Sequence, residues 1–254
     1  MSRPYRPDER AEGDAPARSP ETDRLIEALR RASLSRRLRE RLLMDAEFDE
    51  LYPAPARVVS SMFWTPMAVA IRAADLLVTT PSTRVLDVGS GVGKFCIVGA
   101  AITGAPFMGI EHRRGFVDIA RDVASRVGAD TAHFVSGTLD DIDVSDFDAL
   151  YFFNPFEENM LHARHWLDST VTLSEARYFA DVSRAEGLLD AARVGTRVVT
   201  YHGFGGKMPL SYHRAVRERC RSGHLELWVK SERARTYSFD NPQQTRFRTS
   251  EDAV

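Results

Sequence analysis

The sequence predicts an α/β fold: a doubly wound, mostly parallel sheet with an antiparallel hairpin at one edge, preceded by a helical N-terminal extension. Three observations predict it. Short apolar runs alternate with helical patterns from residue 84 onward, the order that builds a parallel sheet covered on both faces. The first run ends in three closely spaced glycines that open into a helical stretch. The last two strand candidates, 224–230 and 236–239, are joined by the short connection 231–235, which suits a hairpin and not a helical crossover.

The elements follow in order. Residues 1–20 hold four prolines, four arginines and four acids with no apolar run, which reads as a polar tail and excludes a signal peptide there. Residues 21–57 read as a helical extension: Ser19-Pro20-Glu21 is a helix-start signal, Leu25, Ile26 and Leu29 follow at helical spacing, and Leu34, Leu38 and Leu42 continue it. Its seven arginines against five acids in 21–45 suit a solvated helix face. Thr65-Pro66 starts another helix through Val69, Ala73 and Leu77. Strands are expected at 84–88, 107–110, 133–136, 148–153, 196–201 and 224–230, with 236–239 the weakest. Helices are expected near 93–103, 115–127, 174–193 and 209–221, the last opening after Pro209. The main domain is placed at 58–240 and a polar tail at 241–254.

Composition narrows the function. The 254 residues carry a formal net charge of -2, which argues against a protein that coats nucleic acid. Two cysteines, Cys96 and Cys220, do not make a disulfide scaffold, and they lie too far apart, without suitably spaced histidines, to form a metal site. No window reaches the roughly 18 apolar residues of a membrane span. The expected location is cytoplasmic, with no membrane partner and no metal.

The chemistry is concentrated in Val85-Leu86-Asp87-Val88-Gly89-Ser90-Gly91-Val92-Gly93. Glycine permits a tight turn and lets a ligand approach the backbone, and the following helix start offers unpaired N–H groups. The spacing is G-x-G-x-G, not the G-x-G-x-x-G of a dinucleotide loop. Asp87 at the strand end would repel a pyrophosphate but suits an ammonium group. Glu111 ends the next strand, 24 residues on, where an acid can accept both hydroxyls of a ribose. A nucleoside joined to an amino acid without phosphates fits, and S-adenosylmethionine is such a molecule.

With Gly109-Ile110-Glu111 and Asn154-Pro155-Phe156 added, the region from about 58 to 239 resembles the class I S-adenosylmethionine-dependent methyltransferases. The resemblance implies a seven-stranded sheet with a reversed edge hairpin, S-adenosylmethionine as cofactor, and contacts from Asp87, Gly89, Ser90, Gly91, Gly93 and Glu111. After the third strand this family often carries an acid for the adenine amino group. The matching residue here is Thr138, which can accept one hydrogen bond, with Asp140 able to reach round.

Asn154 ends the fourth strand, which flanks the first in such a sheet and so faces the same crevice. Its side-chain oxygen and the carbonyl before Pro155 can accept hydrogen bonds from an amine and aim the remaining lone pair. Phe156 can stack on a planar acceptor. The motif resembles the Asn-Pro-Pro-aromatic signature of amino-directed methyltransferases with one proline missing, and the Asn-aromatic element of histone lysine methyltransferases of this fold. The predicted function is methyl transfer to a nitrogen of a protein or small molecule, with nucleic acid possible but not favoured. The alternatives are a non-catalytic S-adenosylmethionine-binding module and a nicotinamide-dependent oxidoreductase. Met62-Phe63-Trp64-Thr65-Pro66 is a candidate lid, and His202 reads as a loop histidine more than as a general base.

Overall fold

The computed structural model describes residues 45–232; the expected tails, the helical patterns over 21–44 and the strand candidate 236–239 lie outside them. Labels below count the described elements. A seven-stranded sheet runs in the order β3-β2-β1-β4-β5-β7-β6, built from β1 (Val85–Val88), β2 (Phe107–Glu111), β3 (Ala132–Ser136), β4 (Ala149–Phe153), β5 (Arg197–Tyr201), β6 (Tyr212–Cys220) and β7 (Gly223–Lys230). β1 to β5 pair in parallel, and β7 is antiparallel to both β5 and β6. β7 alone is therefore reversed. The helices are α1 (Asp45–Asp49), α2 (Ala54–Arg57), α3 (Ser60–Phe63), α4 (Met67–Leu77), α5 (Lys94–Thr103), α6 (Arg114–Val127) and α7 (Glu175–Ala191).

The strand sequences explain the layering. All four residues of β1 are buried, as a central parallel strand requires. Its side chains alternate between two cores. Val85 joins α1, α4, α5 and α6 through Phe48, Val69, Phe95 and Ala120. Leu86 and Val88 join Val182, Ala185 and Leu189 of α7 on the other face. β4 repeats the alternation, with Tyr151 on the first side and Phe152 on the second. Tyr151 stacks on Phe95 at 3.9 Å between ring centroids. Phe48 and Tyr52 are buried in the same core as α5, so the end of the expected extension and the start of the expected main domain share one interior.

The expected helix over 209–221 is instead β6. Tyr212, Val216 and Cys220 recur every four residues, which mimics a helical face. Pairing with β7 along the whole segment overrides that pattern, and a bulge between Arg214 and Val216 accommodates the spacing. An edge strand buries little, so its many arginines are compatible with the sheet. The edge hairpin exists, but it joins β6 to β7 through Arg221-Ser222, not 224–230 to 236–239, and Arg221 takes the left-handed turn conformation at φ +52°.

Candidate active site

The sheet reverses its winding between β1 and β4, and a crevice opens past the carboxyl ends of its central strands, where ligands bind in such sheets. Gly89 lies at the end of β1, and Glu111 and His112 at the end of β2. Gly137, Thr138 and Leu139 follow β3, while Pro155 and Phe156 follow β4. Asn159, Arg177 and Asp181 complete the wall from the next loop and α7.

The glycines have separate roles. A side chain on Gly89 would put its Cβ 2.6 Å from the Cβ of Pro155, so the bare Cα lets the β1 and β4 loops touch. Gly93 precedes α5, where a Cβ would collide with Phe134 and Ala120. Gly91 holds φ at +54°, and a Cβ there would meet nothing within 4 Å. Its N–H donates to Glu111 Oε2 at 3.1 Å. Ser90 turns its hydroxyl inward: the oxygen is buried without a partner and fills the space where a side chain on Gly109 would stand. Ser90 is thus held by its N–H bond to the Ile110 carbonyl.

Two acids sit beneath the loop. Asp87 is buried and accepts a long bond from the Cys96 thiol at 3.5 Å. Burial pushes its carboxyl up to about 7, the Cys96 bond pulls it down, and the charge of Glu111 adds to the rise. Glu111 is also buried and raised by desolvation, against which the Arg113 and Gly91 N–H groups and the Arg113 guanidinium act. His112 is pushed down to about 4, first by burial and then by the charges of Arg113 and Arg177, so its ring is neutral at pH 7.

The raised Asp87 sets a pH dependence. The unfolded carboxyl releases its proton near 3.8, while the folded one holds it to about 7. Native protein therefore binds more protons in that interval, and stability falls as pH rises through it. Melting temperatures of wild type and Asp87→Asn from pH 4 to 8 should diverge accordingly, wild type losing ground as pH increases. Parallel curves would refute the shift.

Asn154 adopts φ +42°, a left-handed conformation that asparagine tolerates better than most residues. Its N–H donates to the Gly203 carbonyl at 2.9 Å, tying the β4 and β5 loops together. Its side-chain amide donates to Glu157 Oε2, which leaves the amide oxygen as the free acceptor. Its backbone carbonyl takes only a 3.3 Å bond from Glu157 N–H. Pro155 and Phe156 line the crevice directly, the Phe156 ring being largely buried. Thr138 caps the turn Leu139–Asp141 by accepting from the Asp140 N–H, and its own N–H goes to Asp141 Oδ2. Asp140 points to Arg184 at 3.0 Å.

In the candidate lid Met62 is exposed, whereas Trp64 is buried against Tyr52 and Thr65 bonds Tyr151 across the core. His202 is exposed, at φ +59°, with its ring against Tyr201 and Phe153. Lys94 is buried and turned away from the crevice, its ammonium held by Asp45 at 2.9 Å and Asp49 at 2.6 Å. Arg113 was not legible in the sequence as a site residue. It donates its N–H to Glu111 and ion-pairs with Glu158 at 2.9 Å and Asp168 at 3.0 Å, fastening the loop after β4 to the end of β2. Among the described residues, no helix is long and apolar enough to cross a membrane.

The family model for protein-L-isoaspartate (D-aspartate) O-methyltransferase matches residues 26–151. No curated protein sequence matches the chain. Among solved structures, an RNA methyltransferase from Salinibacter ruber, in complex with S-adenosyl-L-homocysteine, is similar at TM-score 0.50 and 22% identity over 66% of this chain and 94% of that one. A precorrin-6y C5,15-methyltransferase from Geobacter metallireducens is similar at TM-score 0.46 and 11% identity over 72% and 95%. An rRNA methylase from Streptococcus thermophilus is similar at TM-score 0.44 and 11% identity over 63% and 95%. With the glycine loop, the acid ending β2 and this sheet order, the chain has the fold of the class I S-adenosylmethionine-dependent methyltransferases, and a methyltransferase family model matches just under half of it.

Proposed function

We propose that the crevice binds S-adenosylmethionine and that Asn154-Pro155-Phe156 present a nitrogen of a protein or small molecule to it. The observation that carries this reading is the meeting of three strand ends. Gly89 at the start of the glycine loop, Glu111, and Pro155 with Phe156 converge at the place where the winding of the sheet reverses. The residues fit the group. Gly91 leaves open space above the backbone, Glu111 offers a buried carboxylate to a ribose diol, and Asp87 places acid character below the amino-acid end. Bound there, the sulfonium would supply a methyl group open to in-line displacement.

This chain's own work is positioning. Glu157 holds the Asn154 amide nitrogen, so the amide oxygen faces an incoming N–H. The carbonyl preceding Pro155 provides a second acceptor. Two such bonds leave the amine's lone pair pointing toward the crevice. Phe156 gives the acceptor a flat apolar surface that excludes water.

Calorimetric titration with S-adenosylhomocysteine and with NAD tests the reading. Binding of the first and not the second is expected, and the reverse would replace a methyltransferase by an oxidoreductase. Transfer of labelled methyl groups into protein, small-molecule and RNA fractions of a cell extract then identifies the acceptor class. Label appearing only in RNA would overturn the acceptor proposed here.

Glu111→Gln should weaken S-adenosylhomocysteine binding about tenfold or more, since hydrogen bonds to a charged group contribute roughly 1.5–3 kcal/mol. Titration of the folded variant checks it. An unchanged dissociation constant would remove Glu111 from the ribose.

A further inference from the structure

We infer that the adenine amino group is read by Asp181, a carboxylate on α7, and not from the end of β3. The inference rests on the cofactor reading above and deepens it.

The residues after β3 are already committed. Thr138 Oγ1 accepts the Asp140 N–H at 3.4 Å and lies 3.4 Å from Asp141 Oδ2, to which it donates. The Thr138 N–H is taken by the same carboxylate at 2.9 Å. Asp140 turns outward, 80% exposed on its side chain, and meets Arg184. The Thr138 hydroxyl is engaged within its own turn, and the exposed Asp140 and Asp141 do not line the crevice.

Asp181 does. It lines the crevice with Thr138 and Leu139, while its Oδ2 accepts from Arg177 Nε at 2.7 Å. The other carboxylate oxygen is thereby left to a ligand. Its side chain is only 20% exposed although it lies in the second turn of a helix. Three contacts bring it there. Asn159 donates to the Phe156 carbonyl and accepts the N–H of Ser174, the residue that caps α7. Arg184 ties the same helix to the turn after β3 through Asp140. Arg177, which holds the Asp181 carboxylate, and the neutral imidazole of His112 both line the crevice. A planar base fits against such groups.

The chemistry is directional. Adenine presents an amino donor at C6, which a carboxylate accepts. Hypoxanthine presents a carbonyl oxygen there, which a carboxylate repels. An asparagine can turn its amide to suit either.

The test compares S-adenosylhomocysteine with S-inosylhomocysteine by calorimetry, in wild type, Asp181→Asn and Asp140→Asn, with melting curves to show that each is folded. Wild type should prefer the adenine form by roughly tenfold to a hundredfold. Asp181→Asn should bring the ratio close to one, and Asp140→Asn should keep it. An unchanged ratio in Asp181→Asn, or a loss of preference confined to Asp140→Asn, overturns the inference while leaving the cofactor reading standing. Failure of wild type to bind either nucleoside removes both.

Discussion

Gly91→Val is expected to abolish detectable S-adenosylhomocysteine binding. The expectation has two parts that can be separated. The position holds φ +54°, so any L side chain strains the backbone by about 1–2 kcal/mol. A Cβ nevertheless meets nothing within 4 Å, and the protein should still fold. The remaining effect is occupation of the space over the backbone that the ligand needs. Gly91→Ala carries the strain with little bulk, so it should bind weakly where valine does not bind at all. Calorimetry and melting curves on both variants make the comparison. Wild-type affinity in Gly91→Val would show that the loop is structural only.

Asn154→Ala should spare cofactor binding and slow methyl transfer by roughly 30-fold to a thousandfold. That range corresponds to about 2–4 kcal/mol, typical for losing one aligned polar group from a preorganised site. Alanine also inherits the left-handed φ of +42°, so some loss of stability accompanies it. Asn154→Gly removes the side chain and relieves that strain. Both variants should be slow in single turnover per folded molecule if the amide positions the acceptor. If glycine restored turnover, or if alanine melted early and still transferred methyl groups at the wild-type rate, Asn154 would be a turn residue and nothing more.

The contrast between β1 and β6 shows what a single sequence can express. β1 is a central strand buried on both faces, so its character is written in its own residues, and the glycines mark where it stops. β6 is an edge strand whose conformation depends on β7, and nothing local distinguishes Tyr212, Val216 and Cys220 from a helical stripe. The same division runs through the site. Glu111 and Asn154 are visible because each polar residue ends an apolar run, and Asp87 because it interrupts one just before the glycines. Arg177 and Asp181 read as an ordinary pair on a solvated helix, since only the tertiary placement of α7 brings them to the crevice. Lys94 stands in the loop motif, yet its partners Asp45 and Asp49 lie 49 and 45 residues upstream.

The carboxylate of Asp45 carries a consequence for the order in which the protein assembles. It accepts from the Met67 N–H, from Lys94 and from Arg221, at chain separations of 22, 49 and 176 residues. The entropy of closing a loop grows with the logarithm of its length, about 0.6 kcal/mol per doubling, so the third contact is about 2 kcal/mol harder to close than the first. During synthesis the first two partners emerge while most of the sheet is still unmade. The start of α4 and the buried lysine of α5 are therefore expected to be joined early. Arg221, on the hairpin turn, closes last. On loop entropy, the contacts of Asp45 with α4 and α5 are expected to form before the one that the hairpin makes through Arg221.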